Sequence, residues 1–171
     1  MASAVRITRS RSVAVTHRCA AASRSACSAT PSVGRPSPER IESADDAESV
    51  ATVQAALDAG VTLIDAADFY GAGHTELVLR EALKGGRRQR ALIAIKYGAM
   101  RDPDGKGLGD DARPSATKNF LAYTLKRLGT DYVDLYQIHR VDAGTPIEEM
   151  LQALDDVVRA GKALYIGAST M

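Results

Sequence analysis

Four residues spread along the chain, Asp65, Tyr70, Lys96 and His139, are of types that together can put a proton on a carbonyl oxygen. A free tyrosine titrates at about 10, so by itself it is a poor proton donor at neutral pH. An adjacent lysine ammonium stabilises the phenolate and brings the phenol toward working range. An aspartate can hold that ammonium in place and keep it charged, and a histidine can hydrogen-bond the substrate oxygen. With no activated Ser or Cys beside them, the four suit carbonyl reduction by a hydride that arrives from a bound cofactor. Each residue alone also has an ordinary structural use, as a turn cap, a half-buried aromatic, a solvated strand end or a satisfied histidine. Their joint placement at successive strand ends is what favours chemistry.

The elements that would carry them alternate along the chain. Ser43 precedes a helix whose Val50, Val53 and Leu57 share one face until Gly60. A strand over 61–65 follows, ending in Asp65, and Gly71–Gly73 form a turn beside Tyr70. The second helix starts at about Thr75, turns Val78, Leu79, Ala82 and Leu83 inward and stops at Gly85–Gly86. "ALIAIK", residues 91–96, is a strand ending in Lys96. The polar segment "GAMRDPDGKGLGDDARP" predicts a mobile loop bordering the substrate mouth. It leads to a helix from Ser115 with Leu121, Leu125 and Leu128 at i, i+4, i+7 and Gly129 as its stop. "YVDLYQIHR" predicts a strand ending at His139. "TPIEE" predicts a fourth helix with Thr145 as cap, Pro146 in the first turn, Glu148 completing a capping box and Leu151, Leu154 and Val158 as the buried stripe. The last strand, "ALYIGAST", ends at Ser169.

Strict alternation with short turns means an α/β chain of parallel strands joined by right-handed helical crossovers. A doubly wound dinucleotide binder should carry G-x-G-x-x-G between strand and helix, and no strand here is followed by it. Nor does a G-x-x-x-x-G-K phosphate loop occur. The alternative is a (β/α)8 barrel, where chemistry sits at the C-terminal ends of different strands. Asp65, Lys96, His139 and Ser169 stand at four consecutive ends. Alternation puts Leu92, Ala94 and Lys96 on one face of their strand, and Leu135, Gln137 and His139 on one face of theirs.

The segments "LIDAADFYG", "IAIKYG", "DLYQIHRVD" and "IGAS" resemble, in order and spacing, the successive signatures of the aldo/keto reductase family. The resemblance runs from about Asp45 to Ser169. It implies a (β/α)8 barrel, NADPH as cofactor, and a catalytic tetrad matched by Asp65, Tyr70, Lys96 and His139. "HRVD" is similar to the variants acting on diverse aldehydes and ketones, which makes a small aldehyde or ketone the expected substrate. A Ser-Asn pair contacts the nicotinamide carboxamide in the family; Ser169 matches the first residue, and Thr170 stands in place of the Asn. The glycine-rich first strand is not found in the opening 40 residues, and three further βα units would be needed after Ser169. A (β/α)8 barrel takes about 250 residues, so the expected architecture is a partial barrel of about half. The expected function is NADPH-dependent reduction of aldehydes or ketones to alcohols, impaired by truncation. The alternative is a catalytically silent fragment or interaction protein, and open barrel edges make self-association its expected mode.

The rest of the composition narrows the classes. The 171 residues are 45% hydrophobic, with 22 basic and 21 acidic side chains, so no net field recruits nucleic acid or an anionic membrane. No apolar run reaches the roughly 18 residues of a membrane-spanning helix. Residues 1–40 form a tail rich in Arg, Ser and Ala, expected to be disordered or transit-like, ahead of a domain over 41–171. Cys19 and Cys27 both fall in the tail and match no zinc spacing. A cytoplasmic location is expected, or an organellar one if the tail is a transit peptide. "DPDGKGLGDDAR" fails as a calcium loop, because Lys106 and Arg113 stand where oxygen ligands are required. No metal is expected.

Overall fold

The structure, a computed structural model, describes residues 12–14 and 44–169. Its elements are β1 (Ser12–Ala14), α1 (Ala44–Asp58), β2 (Leu63–Ala67), α2 (His74–Ala82), β3 (Leu92–Tyr97), β4 (Ala99–Arg101), β5 (Gly107–Asp110), α3 (Pro114–Leu128), β6 (Val133–Ile138), α4 (Ile147–Arg159) and β7 (Ala163–Ala168). Five strands form one parallel sheet in the order β1-β2-β3-β6-β7. That order follows the chain without reversal. A doubly wound sheet reverses at a switch point, so the arrangement is an arc of a (β/α)8 barrel.

Parity along the strands divides the sheet into two faces. Ile64 and Ala66, Ile93, Ile95 and Tyr97, and Tyr136 and Ile138 pack into the core together with Val53, Leu57, Leu79, Leu121, Leu128, Met150 and Leu154 of the helices. Those strand residues are at most 3% exposed. On the opposite face the register sets Asp65 beside Ala94, Lys96 beside Gln137, and Leu135 beside Tyr165. Leu92 and Tyr165 remain exposed there. The fold has therefore given its apolar parity to the helix layer and kept its charged parity for the other side.

Helix α3 ends at its expected glycine, whereas α2 ends at Ala82 with Leu83 as C-cap, ahead of Gly85–Gly86. Gly129 takes φ 66 and its N–H bonds to Leu125 O, a left-handed C-cap, while Pro114 opens the same helix at its first turn. Four other expectations are corrected. Strand β2 runs on to Ala67, so Asp65 lies in its middle. The polar segment after β3 is an antiparallel hairpin, β4 and β5, anchored where Asp102 accepts backbone N–H bonds from Asp104 and Lys106. Thr145 forms no capping box: Pro146 is the N-cap, and the Thr145 hydroxyl donates to Asp142 Oδ2 at 2.7 Å. The buried stripe of α4 is Met150, Ala153, Leu154 and Val157, with Leu151 49% exposed.

Ser12–Ala14, inside the segment expected to be disordered, pairs in parallel with Leu63–Asp65 of β2. The rest of the tail with its transit-like composition, Cys19, Cys27 and Thr170 lie outside the described residues. Among the described residues no helix is long and apolar enough to cross a membrane.

Candidate active site

Backbone bonds past the strand ends bring the candidate residues to one level. Asp68 N donates to Lys96 O at 3.0 Å, His139 N to Tyr97 O at 2.9 Å, and Ser169 N to Ile138 O at 2.9 Å. Each extends a parallel ladder by one rung, so the segments after β2, β6 and β7 leave the sheet together. Lys96 sits opposite Ala67 in register, which puts Asp65 two residues back on the same face. The lysine reaches it diagonally: Nζ lies 2.6 Å from Asp65 Oδ1, with the lysine side chain 9% exposed. A cation so buried needs a partner close by, and Asp65 is that partner.

Tyr70 opens a tight turn, Tyr70–Gly73, in which Gly71, Ala72 and Gly73 take φ of 57, 52 and 96. Glycine meets that conformation without strain, and Ala72 is the single non-glycine residue with positive φ among the described residues. The turn swings the phenol back over the strand ends. Its ring centroid lies 5.7 Å from Lys96 Nζ. Phe69 stands between Tyr70 and His139, edge-on to the first at 5.1 Å and tilted against the second at 4.9 Å. The Arg101 guanidinium of β4 covers Phe69 at 5.5 Å, so the hairpin borders the site.

Burial lowers the His139 pKa below its ordinary value, helped by Arg140, Lys96 and Arg101 and opposed by Asp110. The imidazole is thus held toward its neutral form, with its Nδ1 buried and unpartnered among the described residues. The structure brings Asp65, Lys96, Tyr70 and His139 together. Ser169 is exposed beside them at the end of β7. Sequence reasoning missed Phe69, Arg101 and Asp110; the adjacency of Phe69 to Tyr70 was the one available signal. Cavities of about 450 Å³ near Arg88 and Tyr132, and about 480 Å³ between α3 and α4, are lined by none of the four.

The aldo/keto reductase family model matches residues 33–171. Aldo-keto reductase YhdN of Bacillus subtilis (strain 168) is 39% identical over 126 residues, covering 73% of this chain and 38% of its own length. Aldo-keto reductase yakc of Schizosaccharomyces pombe, whose name carries NADP(+), is 38% identical over 128 residues, covering 74% of this chain and 37% of its own. Among solved structures, the aldo-keto reductase AKR11C1 from Bacillus halodurans in its holo form superposes with a TM-score of 0.68 at 33% identity, over 75% of this chain and 43% of that one. The glycerol dehydrogenase AKR11B4 from Gluconobacter oxydans gives 0.66 at 34% identity, over 74% and 39%. The chain spans less than half the length of these relatives.

Proposed function

The chain belongs to the aldo/keto reductase family, and from that premise we propose that its matched segment carries the proton-donating half of an NADPH-dependent reduction of aldehydes and ketones to alcohols. The observation that carries the reading is Lys96, held 2.6 Å from Asp65 and 5.7 Å from the Tyr70 ring centre. Tyr70 donates the proton to the carbonyl oxygen. The Lys96 ammonium stabilises the negative charge that this leaves on the phenol oxygen, and Asp65 keeps the ammonium in place. His139, held toward neutrality, donates an N–H to the same carbonyl oxygen and orients it. Phe69 walls the space between Tyr70 and His139 and excludes water from the proton path.

A nicotinamide cofactor is supported by the name of the S. pombe relative and by the holo form of the B. halodurans structure. The described residues fit its nicotinamide end: Ser169 is exposed at the end of β7, its backbone tied to Ile138 one residue before His139. Its hydroxyl would meet the carboxamide. When bound, NADPH supplies the hydride.

A chimera tests the reading. Residues 45–169 replace the matched segment of the B. subtilis relative, and reduction of a test aldehyde by NADPH is measured. The chimera is expected to turn over, and Tyr70→Phe within it to lower turnover roughly a hundred- to ten-thousand-fold with cofactor affinity unchanged. Turnover by the Phe variant within threefold of its parent would show that Tyr70 is not the donor. A second reading, an interaction protein, is favoured by the exposed Leu164, Tyr165 and Ile166 along the edge strand β7. An inactive chimera, together with concentration-dependent association of the 171-residue chain, would support it instead.

A further inference from the structure

Behind the site, two buried carboxyl groups lie near one guanidinium, which bonds to only one of them. Asp68, between β2 and Tyr70, is 8% exposed, and its side chain lies with the buried Tyr97 and Tyr136 on the helix side of the sheet. Glu76, in the first turn of α2, is fully buried, and its Oε2 accepts from Arg127 Nε of α3. Asp68 Oδ1, Glu76 Oε1 and Thr124 Oγ1 are buried without a partner among the described residues. If both carboxyl groups were ionised, one charge would stand uncompensated in the interior. One proton removes that charge and turns a carboxyl oxygen into a donor.

Arg127 also reaches the turn that carries Tyr70. A Cβ placed on Gly73 would lie 2.7 Å from Arg127 Nε and 2.9 Å from its Cδ. The arginine is therefore laid directly against the backbone of the turn. At the turn's other end the Asp68 carboxyl accepts from the Phe69 N–H, while its backbone N–H ties the chain to Lys96 O. Three consecutive residues with positive φ lie between these two supports.

We propose that Asp68, Glu76 and Arg127 are positioning residues for Tyr70, and that they work with one proton held on the Asp68 carboxyl. Its catalytic consequence rests on the reading of Tyr70 as proton donor. Asp68 is the group that takes the proton: burial raises its pKa to about 7, with Glu76 adding and Arg127 and the Phe69 N–H opposing. The groups facing it from the other elements are Glu76 of α2, Arg127 of α3, Tyr97 of β3 and Tyr136 of β6. Burial pushes Tyr97 up to about 12 and Tyr136 well above its ordinary value, so both stay neutral and contribute no titration near pH 7.

The test uses the full 171-residue chain with carbon-13-labelled tyrosine, the Tyr70 ring signal being identified by its loss in Tyr70→Phe. Between pH 5.5 and 8.5 that signal is expected to move with a midpoint of about 7. Asp68→Asn, which keeps shape and loses the proton site, should remove the movement centred at about 7 and leave only what His139, titrating below 6.5 on the far side of Phe69, contributes. Arg127→Gln should displace or broaden it at every pH, and Arg127→Lys should restore it. A Tyr70 signal that is flat in the parent, or that moves identically in Asp68→Asn, would overturn the proposal. None of these signals depends on cofactor or turnover, so an inactive chimera and a failed brace remain separate results.

Discussion

Replacing Asp68 with Asn should make the chain more stable at neutral pH, against the usual direction for mutating a buried residue. In the folded chain Asp68 keeps its proton up to about pH 7, whereas its ordinary value is 3.8. Between those two pH values the folded state binds a proton that the unfolded state has released, so stability falls as pH rises and levels off above about 7. A gap of about 3 units at about 1.4 kcal/mol each gives roughly 4 kcal/mol lost across the window. Asn carries no such proton, so its stability lacks this fall. The variant and parent should match only near or below pH 4, and their difference should grow in favour of Asn by roughly 3 kcal/mol between pH 5 and 7 and then level off. Lowering of the His139 pKa acts in the opposite sense, since the unfolded chain then binds the extra proton and stability rises through pH 6.5. Taking the difference between the two proteins cancels that contribution. Urea unfolding at pH 5, 6, 7 and 8 measures it, and a pH-independent difference would refute the reasoning.

Two further expectations concern other parts of the chain. Asp134 Oδ2 accepts from Ile93 N at 2.8 Å and pairs at 2.8 Å with Arg88, which is 15% exposed; Asp134→Ala should cost about 3–5 kcal/mol in urea unfolding, and a loss below about 1 kcal/mol would show the pair to be dispensable. Ser169 is the one described residue assigned to the cofactor and offers about one neutral hydrogen bond, worth about 1 kcal/mol, against the roughly 8 kcal/mol of micromolar binding. The 171-residue chain should therefore bind NADPH no tighter than about millimolar in a fluorescence titration, and a saturable micromolar isotherm would contradict this.

The helices were legible because each carries an apolar stripe and a glycine at or shortly past its end, and Gly129 shows why such a stop works: its left-handed φ of 66 costs glycine nothing. Helix α4 was legible only in outline. Its apolar residues fit two stripes at helical spacing, one through Met150, Leu154 and Val157 and one through Leu151, Leu154 and Val158. Which of them faces the sheet depends on how the helix docks, and no local pattern encodes that. The three residues of β1 are too few to show alternation, and their place beside β2 is decided by pairing across some fifty positions. Thr145 and Glu148 have the spacing of a capping box, yet the Thr145 hydroxyl bonds back to Asp142.

The two layers of the site differ in legibility for a related reason. Asp65 and Lys96 stand out in the sequence because a polar residue on the face of a strand conflicts with an otherwise apolar parity, and His139 because it directly follows the end of β6; each signal is visible within five or six residues. Their supports carry no such local conflict. Asp68 looks like an ordinary turn acid and Glu76 like an ordinary first-turn acid favoured by the helix dipole. Arg127 looks like a solvated cation near a helix C-terminus. Only when α2 and α3 pack side by side do Glu76 and Arg127, 51 residues apart, meet in the interior, and only then does the second carboxyl of Asp68 become a surplus charge. Residues that do chemistry are constrained by the strand they sit on; residues that hold them are constrained by partners distant in sequence. The proton on Asp68 belongs to the second kind, which is why its titration, read at Tyr70, would report the assembled fold and not the motif.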